Sequence, residues 1–133
     1  MKNILLIVLV AVASAFTLAP EPEPQDIYED IAKSIKSGNA KELSRFFASN
    51  VDLTILDKEN MYSKAQAEVV VQDFFNKHKP TGYTLKHKSA QPGGAQYCIG
   101  ELTTAGAGTY QVYYLLKNIG GAQLIQQFNI ESK

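Results

Sequence analysis

The alternation of apolar and polar residues near the end of the chain predicts a long β-hairpin. Two apolar-rich segments, 109–117 and 122–131, flank Asn118-Ile119-Gly120-Gly121, and a glycine pair in this position is typical of a tight hairpin turn. In the first segment, one face carries Tyr110, Val112, Tyr114 and Leu116. A hairpin of this length cannot bury such a face alone, so we expect the rest of the chain to cover it.

Apolar residues spaced three and four apart predict two short helices at the start of the domain. The first spans 26–37, with an isoleucine every four residues, and it ends before Gly38. Asn39 is expected to cap the second helix, because Glu42 three positions later completes a capping box. We expect the apolar side of the second helix to consist of Leu43, Phe46 and Phe47.

A strand and a longer helix are predicted next. Alternation over 50–56 indicates a strand with one solvated face, and Met61-Tyr62 is expected to pair briefly with it. Ser63, with Gln66 in the capping-box position, begins a third helix that ends before Pro80. This helix has the largest helical apolar face of the chain, formed by Ala67, Val70, Val71, Phe74 and Phe75.

Two more strands, 83–89 and 95–103, are predicted between the third helix and the hairpin. Strict alternation in the first of them places Tyr83 and His87 on the inner face, and Lys86 and Lys88 together on the solvated face. The second strand is ambiguous. Its inner residues are either Tyr97, Ile99 and Glu101 or Cys98, Gly100 and Leu102.

The last strand contains a conflict at Gln126. Regular alternation through Phe128 and Ile130 would bury this amide, and a buried amide without partners costs about 1–3 kcal/mol. One solution is a β-bulge at Gln126–Gln127, which would let Ile125, Phe128 and Ile130 all face inward. The other is a polar pocket lined by Gln126. We favour the bulge.

These elements predict an α+β fold in which three helices pack on the concave face of a bent antiparallel sheet, in the order ααβ(β)αββββ. The order, with its break at Gly38-Asn39-Ala40, resembles the nuclear transport factor 2-like superfamily, the cystatin-like cone. The segments SIKSGNAKELSRFFASNVDLTIL and YLLKNIGGAQLIQQFNIE resemble, more narrowly, a family of short secreted Bacteroidota proteins of unknown function. The resemblance implies the cone fold and assigns no site residues.

The beginning of the chain has the pattern of an export signal. Lys2 precedes an apolar run over 4–12, and Ala13-Ser14-Ala15 is typical of a cleavage site. We therefore expect a signal peptide at 1–15, a Pro/Glu linker at 16–25 and one domain at 26–133. Export to the periplasm or the extracellular space, with no membrane span after cleavage, follows from this interpretation.

Charge and motif content exclude several classes of function. Thirteen basic and thirteen acidic residues leave no net field for nucleic acid. The only histidines, His78 and His87, lie on different predicted elements, and no phosphate-binding glycine loop precedes a helix. The sequence therefore predicts neither a metal site nor a cofactor. Cys98 is the single cysteine and is expected to be a buried small apolar residue.

Six residues remain as candidate site residues. Tyr83, His87, Tyr97 and Gln126 are candidates for ligand binding, and Lys86 with Lys88 would form a basic patch for an anionic glycan or lipid headgroup. Enzymes of the wider superfamily resemble one another in placing an aspartate or histidine base and a tyrosine donor in an apolar pocket, so His87 beside Tyr83 is the best acid–base pair. The alternative interpretations are a structural histidine and an ordinary solvated strand face.

The sequence favours a secreted, non-catalytic domain that binds an unidentified small molecule or protein partner. One alternative is an assembly module, including a homodimer, that pairs through the outer sheet face carrying Tyr113 and Leu115. Another is a small isomerase or hydrolase-like enzyme that uses His87 and Tyr83. A deep pocket containing His87 would favour the enzyme, whereas a filled cone with an exposed aromatic sheet face would favour assembly.

Overall fold

The structure, a computed structural model, describes residues 26–106 and 108–133. The predicted signal peptide and linker lie outside the described residues. The helices are α1 (Ile27–Lys36), α2 (Ala40–Ser44) and α3 (Lys64–Lys77). The strands are β1 (Phe47–Ile55), β2 (Lys58–Ser63), β3 (Pro80–Ala90), β4 (Gln96–Thr104), β5 (Thr109–Ile119) and β6 (Ala122–Ser132). This is the α+β fold expected from the sequence, with three helices and a bent sheet of six strands.

The polar residues predicted to cap the helices do so. The Asn39 side chain accepts a hydrogen bond from the backbone N–H of Glu42 at 3.1 Å, but Glu42 does not complete the expected capping box, because its carboxylate binds Arg45 and the Asn39 N–H donates to the Ser34 carbonyl oxygen. At α3, Ser63 and Gln66 form a complete capping box. The second helix is shorter than predicted, because Phe47 pairs with Ile125 and so begins β1. Pairing with a distant strand therefore takes Phe47 out of the predicted helical face.

The strand order is β2-β1-β6-β5-β4-β3. The expectation of a fully antiparallel sheet is wrong at one position, because β1 and β6 run parallel. β3 to β6 form a meander of antiparallel neighbours, which brings β6 back beside β1. The parallel contact is therefore the one that joins the first half of the chain to the last.

The three helices pack on the same face of the sheet, which we call the inner face. Buried residues of all three helices and of β1, β4, β5 and β6 form one apolar cluster. Its largest fully buried side chains include Tyr114, Phe47, Phe75, Phe128, Ile31 and Ile35. The cone is thus filled by side chains.

No helix in the described part of the chain is long and apolar enough to cross a lipid bilayer.

The predicted bulge in the last strand is confirmed. Leu115 pairs with Gln127 and Leu116 pairs with Ile125, which leaves Gln126 as the extra residue in β6. Ile125, Phe128 and Ile130 are consequently all fully buried. Gln126 and Gln127 are both half-buried, so neither amide lies inside the core.

A second bulge, in β3, was not predicted. Leu85 pairs with Gly100 and His87 pairs with Ile99, so Lys86 is the extra residue. The bulge reverses the expected alternation for the rest of the strand. His87 therefore lies on the outer face and is exposed, and Lys88 faces the helices, where its ammonium group lies 4.3 Å from the centre of the Tyr28 ring.

Candidate functional site on the outer face of the sheet

The outer face is the side of the sheet that points away from the helices. The strand register places its side chains in two rows that cross the sheet. The first row is Met61, Asp52, Gln127, Leu115 and Tyr97. The second row is Glu59, Thr54, Asn129, Tyr113, Ile99 and His87. The two rows form a broad surface that extends from β2 to β3.

Two stacked tyrosines lie at the middle of the outer face. The rings of Tyr97 and Tyr113 have centroids 6.0 Å apart and an interplanar angle of 27°. The Tyr113 hydroxyl donates to Gln111 Oε1 at 2.8 Å. Burial, together with Tyr113 and Glu131 nearby, raises the pKa of Tyr97, so its phenol stays protonated at neutral pH. A half-buried aromatic centre with hydroxyl donors is typical of protein interfaces.

Opposite charges lie at the two edges of the outer face. Asp52 and Glu59 belong to the β1–β2 edge, whereas Lys86 and His87 belong to the β3 edge. Between them, the Glu101 carboxylate accepts a hydrogen bond from the Lys133 ammonium group. This bond and the positive charge lower the pKa of Glu101, which keeps the carboxylate ionised.

Two features of the outer face are unsatisfied within one chain. Met61 is 61% exposed, which is high for a large apolar side chain, and it lines a shallow depression with Asn50, Leu115 and Gln126. The Oδ1 atom of Asn129 is buried and accepts no hydrogen bond from any described residue.

The structure places four of the six candidate residues on the outer face and two on the inner face. Lys86, His87, Tyr97 and the bulged Gln126 belong to the outer face. Tyr83 and Lys88 lie on the inner face. The expected pair of Tyr83 and His87 is therefore wrong, because the Lys86 bulge turns His87 to the opposite side of the sheet. For the same reason, Lys86 and Lys88 do not form one basic patch.

Tyr83 belongs instead to a small cluster of polar groups inside the cone. Gly100 allows it to lie there, because a Cβ atom at this position would be 2.2 Å from the Tyr83 hydroxyl. Tyr114 and Cys98 are directly opposite each other on neighbouring strands, and both are fully buried. The hydroxyls of Tyr83 and Tyr114 are buried and have no hydrogen-bond partner among the described residues.

Burial determines the protonation of this inner cluster. It raises the pKa of Tyr114 and of Tyr83, and the neighbouring Cys98 adds to both shifts. Burial also raises the pKa of the Cys98 thiol, so the thiol stays protonated and unreactive. The alternation of β4 was ambiguous in the sequence, so Cys98 and Tyr114 could not be recognised as neighbours before the strand register was known.

Metal ligation has no support within residues 26–106 and 108–133, where no group of three or more His, Cys, Asp or Glu side chains could hold an ion. His78 lies at the C-terminal end of α3, and its Nδ1 atom is 3.2 Å from the Tyr110 hydroxyl. His87 is on the outer face. The two histidines therefore lie on different elements, as the sequence indicates.

Comparison with known proteins gives a family and a fold. The sequence profile of a family described as "Domain of unknown function (DUF4783)" matches residues 28–131. The crystal structure of a DUF4783 family protein from Bacteroides uniformis is 27% identical, with a TM-score of 0.75, and the match covers 81% of this chain and 98% of that one. No functionally curated protein is significantly similar to the chain.

More distant structures support the fold alone. A domain of unknown function with a cystatin-like fold from Nostoc punctiforme matches with 8% identity and a TM-score of 0.64, covering 80% of this chain and 72% of that one. An NTF-2-like protein of unknown function from Silicibacter pomeroyi matches with 14% identity and a TM-score of 0.58, covering 80% and 89%. The resemblance stated from the sequence is confirmed at both levels, the family and the wider fold.

Proposed function

The chain belongs to the DUF4783 family, and we propose that it is an exported, non-catalytic binding domain that pairs with a second copy of itself through the outer face. One observation carries this proposal. The outer face has an aromatic centre between an acidic edge and a basic edge, so it is complementary to itself. The helices cover much of the inner face, whereas no described helix packs on the broad outer face, which makes the outer face the candidate surface for a protein partner.

A two-fold axis through the middle of the outer face explains the distribution of charge. In an isologous dimer, each patch meets the same patch of the partner rotated by half a turn. An axis near Tyr113 and Asn129 would bring the β1–β2 edge of one protomer against the β3 edge of the other. Glu59 would then approach Lys86 and His87 of the second copy, twice per dimer. Complementary charges of this kind fix the register of an interface.

The centre of the face supplies the buried contacts that such a dimer needs. Interface cores are enriched in tyrosine and methionine and depleted of charged residues. Tyr97, Tyr113, Ile99 and Leu115 are half-buried in one chain and would become fully buried on association.

The position of the titratable groups supports a non-catalytic role. General acid–base catalysis needs a base within hydrogen-bond reach of its partner. His87 and Tyr83 point to opposite faces, and the buried Tyr83 and Tyr114 hydroxyls have no bonded base among the described residues. The small isomerase or hydrolase-like alternative therefore loses the pair on which it rested.

Dimerisation is tested by comparing two matched substitutions. Tyr113→Glu places a charge at the centre of the outer face, and Val69→Glu places one on α3 at a side chain that is already 69% exposed. Sedimentation at about 100 µM should show a dimer for the native chain and for Val69→Glu, and a folded monomer for Tyr113→Glu. A monomeric native chain at this concentration would show that the proposal is wrong.

The orientation of the two copies is tested by exchanging charges. Lys86→Glu alone and Glu59→Lys alone should each weaken the dimer, because each creates like charges across the interface. The double variant should restore much of the lost affinity, since the pair is then reversed. If the double variant instead loses as much dimer affinity as the two single variants together, the two residues do not face each other and the proposed axis is wrong.

Export is tested on the protein itself. The pattern of residues 1–15 predicts a mature chain that begins near Phe16. Intact-mass analysis of protein recovered from the periplasm or the medium should give the mass without this segment. A mass that still includes residues 1–15 would contradict the proposed processing.

A further inference from the structure

A cleft of about 320 Å³ lies on the helical side of the sheet, between α3 and the β1–β2 hairpin. It shares no residue with the outer face, because Tyr62 of β2 faces the cleft while its neighbour Met61 faces outward. A volume of this size is at the lower end of the range found for small-molecule sites. It would hold about ten heavy atoms, if each takes the roughly 30 Å³ of a water molecule in the liquid.

One wall of the cleft is apolar. It is formed by Ile55, Leu56, Tyr62, Val70 and Phe74. Four of these side chains are only half-buried, although they pack against the main apolar cluster. An apolar ligand tail along this wall would cover the surface that they leave open to solvent.

The other wall carries positive charge and a hydrogen-bond donor. Lys58 lines the cleft and forms no ion pair with another described residue. Lys77 also lines it, but its ammonium group is 3.0 Å from Asp73 Oδ2. The wall therefore carries two positive charges and one negative charge, which leaves an excess of one positive charge for an anionic ligand.

His78 is held at the same wall by fixed contacts. Its ring lies 4.8 Å from the Phe74 ring, and its Nδ1 atom is 3.2 Å from the Tyr110 hydroxyl. When this hydroxyl donates to Nδ1, the neutral imidazole carries its proton on Nε2. Nε2–H is then the nitrogen left to donate to a ligand oxygen.

The turn that forms the rim of the cleft has an uncommon backbone conformation. Leu56 and Asp57 have φ angles of +48° and +70°, a region that side chains with a Cβ atom rarely adopt. Leu56 is held there by a backbone hydrogen bond from its N–H to the Ile130 carbonyl oxygen at 2.9 Å. Leu56 and Asp57 are the two central residues of the β1–β2 hairpin, and a tight hairpin turn of type I′ requires positive φ at both positions, so the hairpin itself explains this conformation of the rim.

From these contacts we propose that the cleft binds a small carboxylate with an apolar tail. The carboxylate accepts hydrogen bonds from Lys58 and His78, and the tail of about seven carbons lies along Phe74, Val70 and Leu56. Because the cleft and the outer face share no residues, this site does not depend on the proposed dimer.

The proposal is tested with three probes that are built on a straight chain of eight carbons, counting the carboxyl carbon of octanoate. Octanoate, octanol and octyltrimethylammonium are titrated into ¹⁵N-labelled protein, and the backbone amide shifts are followed. Octanoate should give saturable shifts confined to 55–58, 62 and 70–78. Octanol should bind at least about tenfold more weakly, because it lacks the charge that Lys58 recognises. The cation should give no saturable shift.

Substitutions in the two walls distinguish the head from the tail. Lys58→Gln should weaken octanoate binding about tenfold and leave octanol binding unchanged, whereas Val70→Glu should weaken both. Lys117→Gln, an exposed lysine on β5, is the matched control and should bind octanoate as the native chain does. The variant Tyr113→Glu should also bind normally, since it changes only the outer face.

Three results would overturn the proposal. The first is equal affinity for octanoate and octanol, which would show an apolar groove without a carboxylate site. The second is octanoate binding that Lys58→Gln leaves unchanged. The third is a set of shifts that spreads over the surface without saturation, which would show non-specific association of the ligand.

Discussion

Tyr114 is a fully buried side chain whose hydroxyl has no hydrogen-bond partner among the described residues. A buried hydroxyl without a partner costs about 1–3 kcal/mol, so removing it should not destabilise the fold. We expect Tyr114→Phe to leave the free energy of unfolding unchanged or to raise it by up to about 1 kcal/mol in urea denaturation. A loss of more than about 1 kcal/mol would show that the hydroxyl is bonded after all, either to the neighbouring Cys98 thiol or to a water or a ligand in the cone.

The same residue predicts how stability changes in alkali. Burial raises the pKa of Tyr114 above its usual value of 10.0, whereas the unfolded chain has the usual value. Above pH 10 the unfolded state loses this proton first, so stability falls as pH rises. Stability measured from pH 9 to 11 should therefore fall less steeply for Tyr114→Phe than for the native chain. Equal slopes would mean that Tyr114 titrates normally.

Strand register decides which residues are neighbours, and the sequence alone does not give it. Cys98 was expected to be a buried apolar residue, and it is fully buried. Its neighbour Tyr114 belongs to another strand, so no spacing in the sequence relates them. Tyr83 was placed on the correct face, but its position over Gly100 depends on a missing Cβ atom that alternation does not consider.

The bulge in β6 gives a prediction at the scale of elements. Gln126 is the extra residue and is half-buried on the outer face. Gln126→Leu should therefore change the free energy of unfolding by no more than about 0.5 kcal/mol. Deleting Gln126 should be far more harmful, because it would turn Ile125 to the outer face or shift the register of β5 and β6.

The control for this prediction is a deletion in the turn of the same hairpin. Removing Gly121 changes the two-residue connection but leaves the pairing around Phe128 intact. Thermal unfolding should show a larger fall in melting temperature for the Gln126 deletion than for the Gly121 deletion. If the order is reversed, the bulge does not set the register of β6.

The two bulges differ in what the sequence reveals. In β6, strict alternation would bury an amide, and that conflict indicated the extra residue. In β3, the residues after Leu85 are Lys86, His87 and Lys88. Because all three are polar, their sequence does not indicate which of them faces the core. The parallel pairing of β1 with β6 is also not predicted, because it joins segments that are 75 or more residues apart in sequence.

At the scale of the whole molecule, the candidate site exists only because of the strand order. The acidic edge comes from β1 and β2, and the basic edge comes from β3, which lie at opposite ends of the sheet. The helices and the fold class could be predicted from local patterns. The outer face could not, because its charge pattern depends on which strands are neighbours and on the Lys86 bulge.

Association through the outer face would make the stability of the protein depend on its concentration. The apolar core belongs to one chain, since its residues are buried without any partner, so a monomer should fold alone. Association through the outer face would add stability by mass action. The melting temperature of the native chain should therefore rise between about 1 and 100 µM, while that of Tyr113→Glu should stay constant. Val69→Glu should follow the native chain, because its substitution lies on α3. If the melting temperature of the native chain does not change over this range, the outer face does not pair with a second copy. The charge pattern of the outer face would then need another explanation.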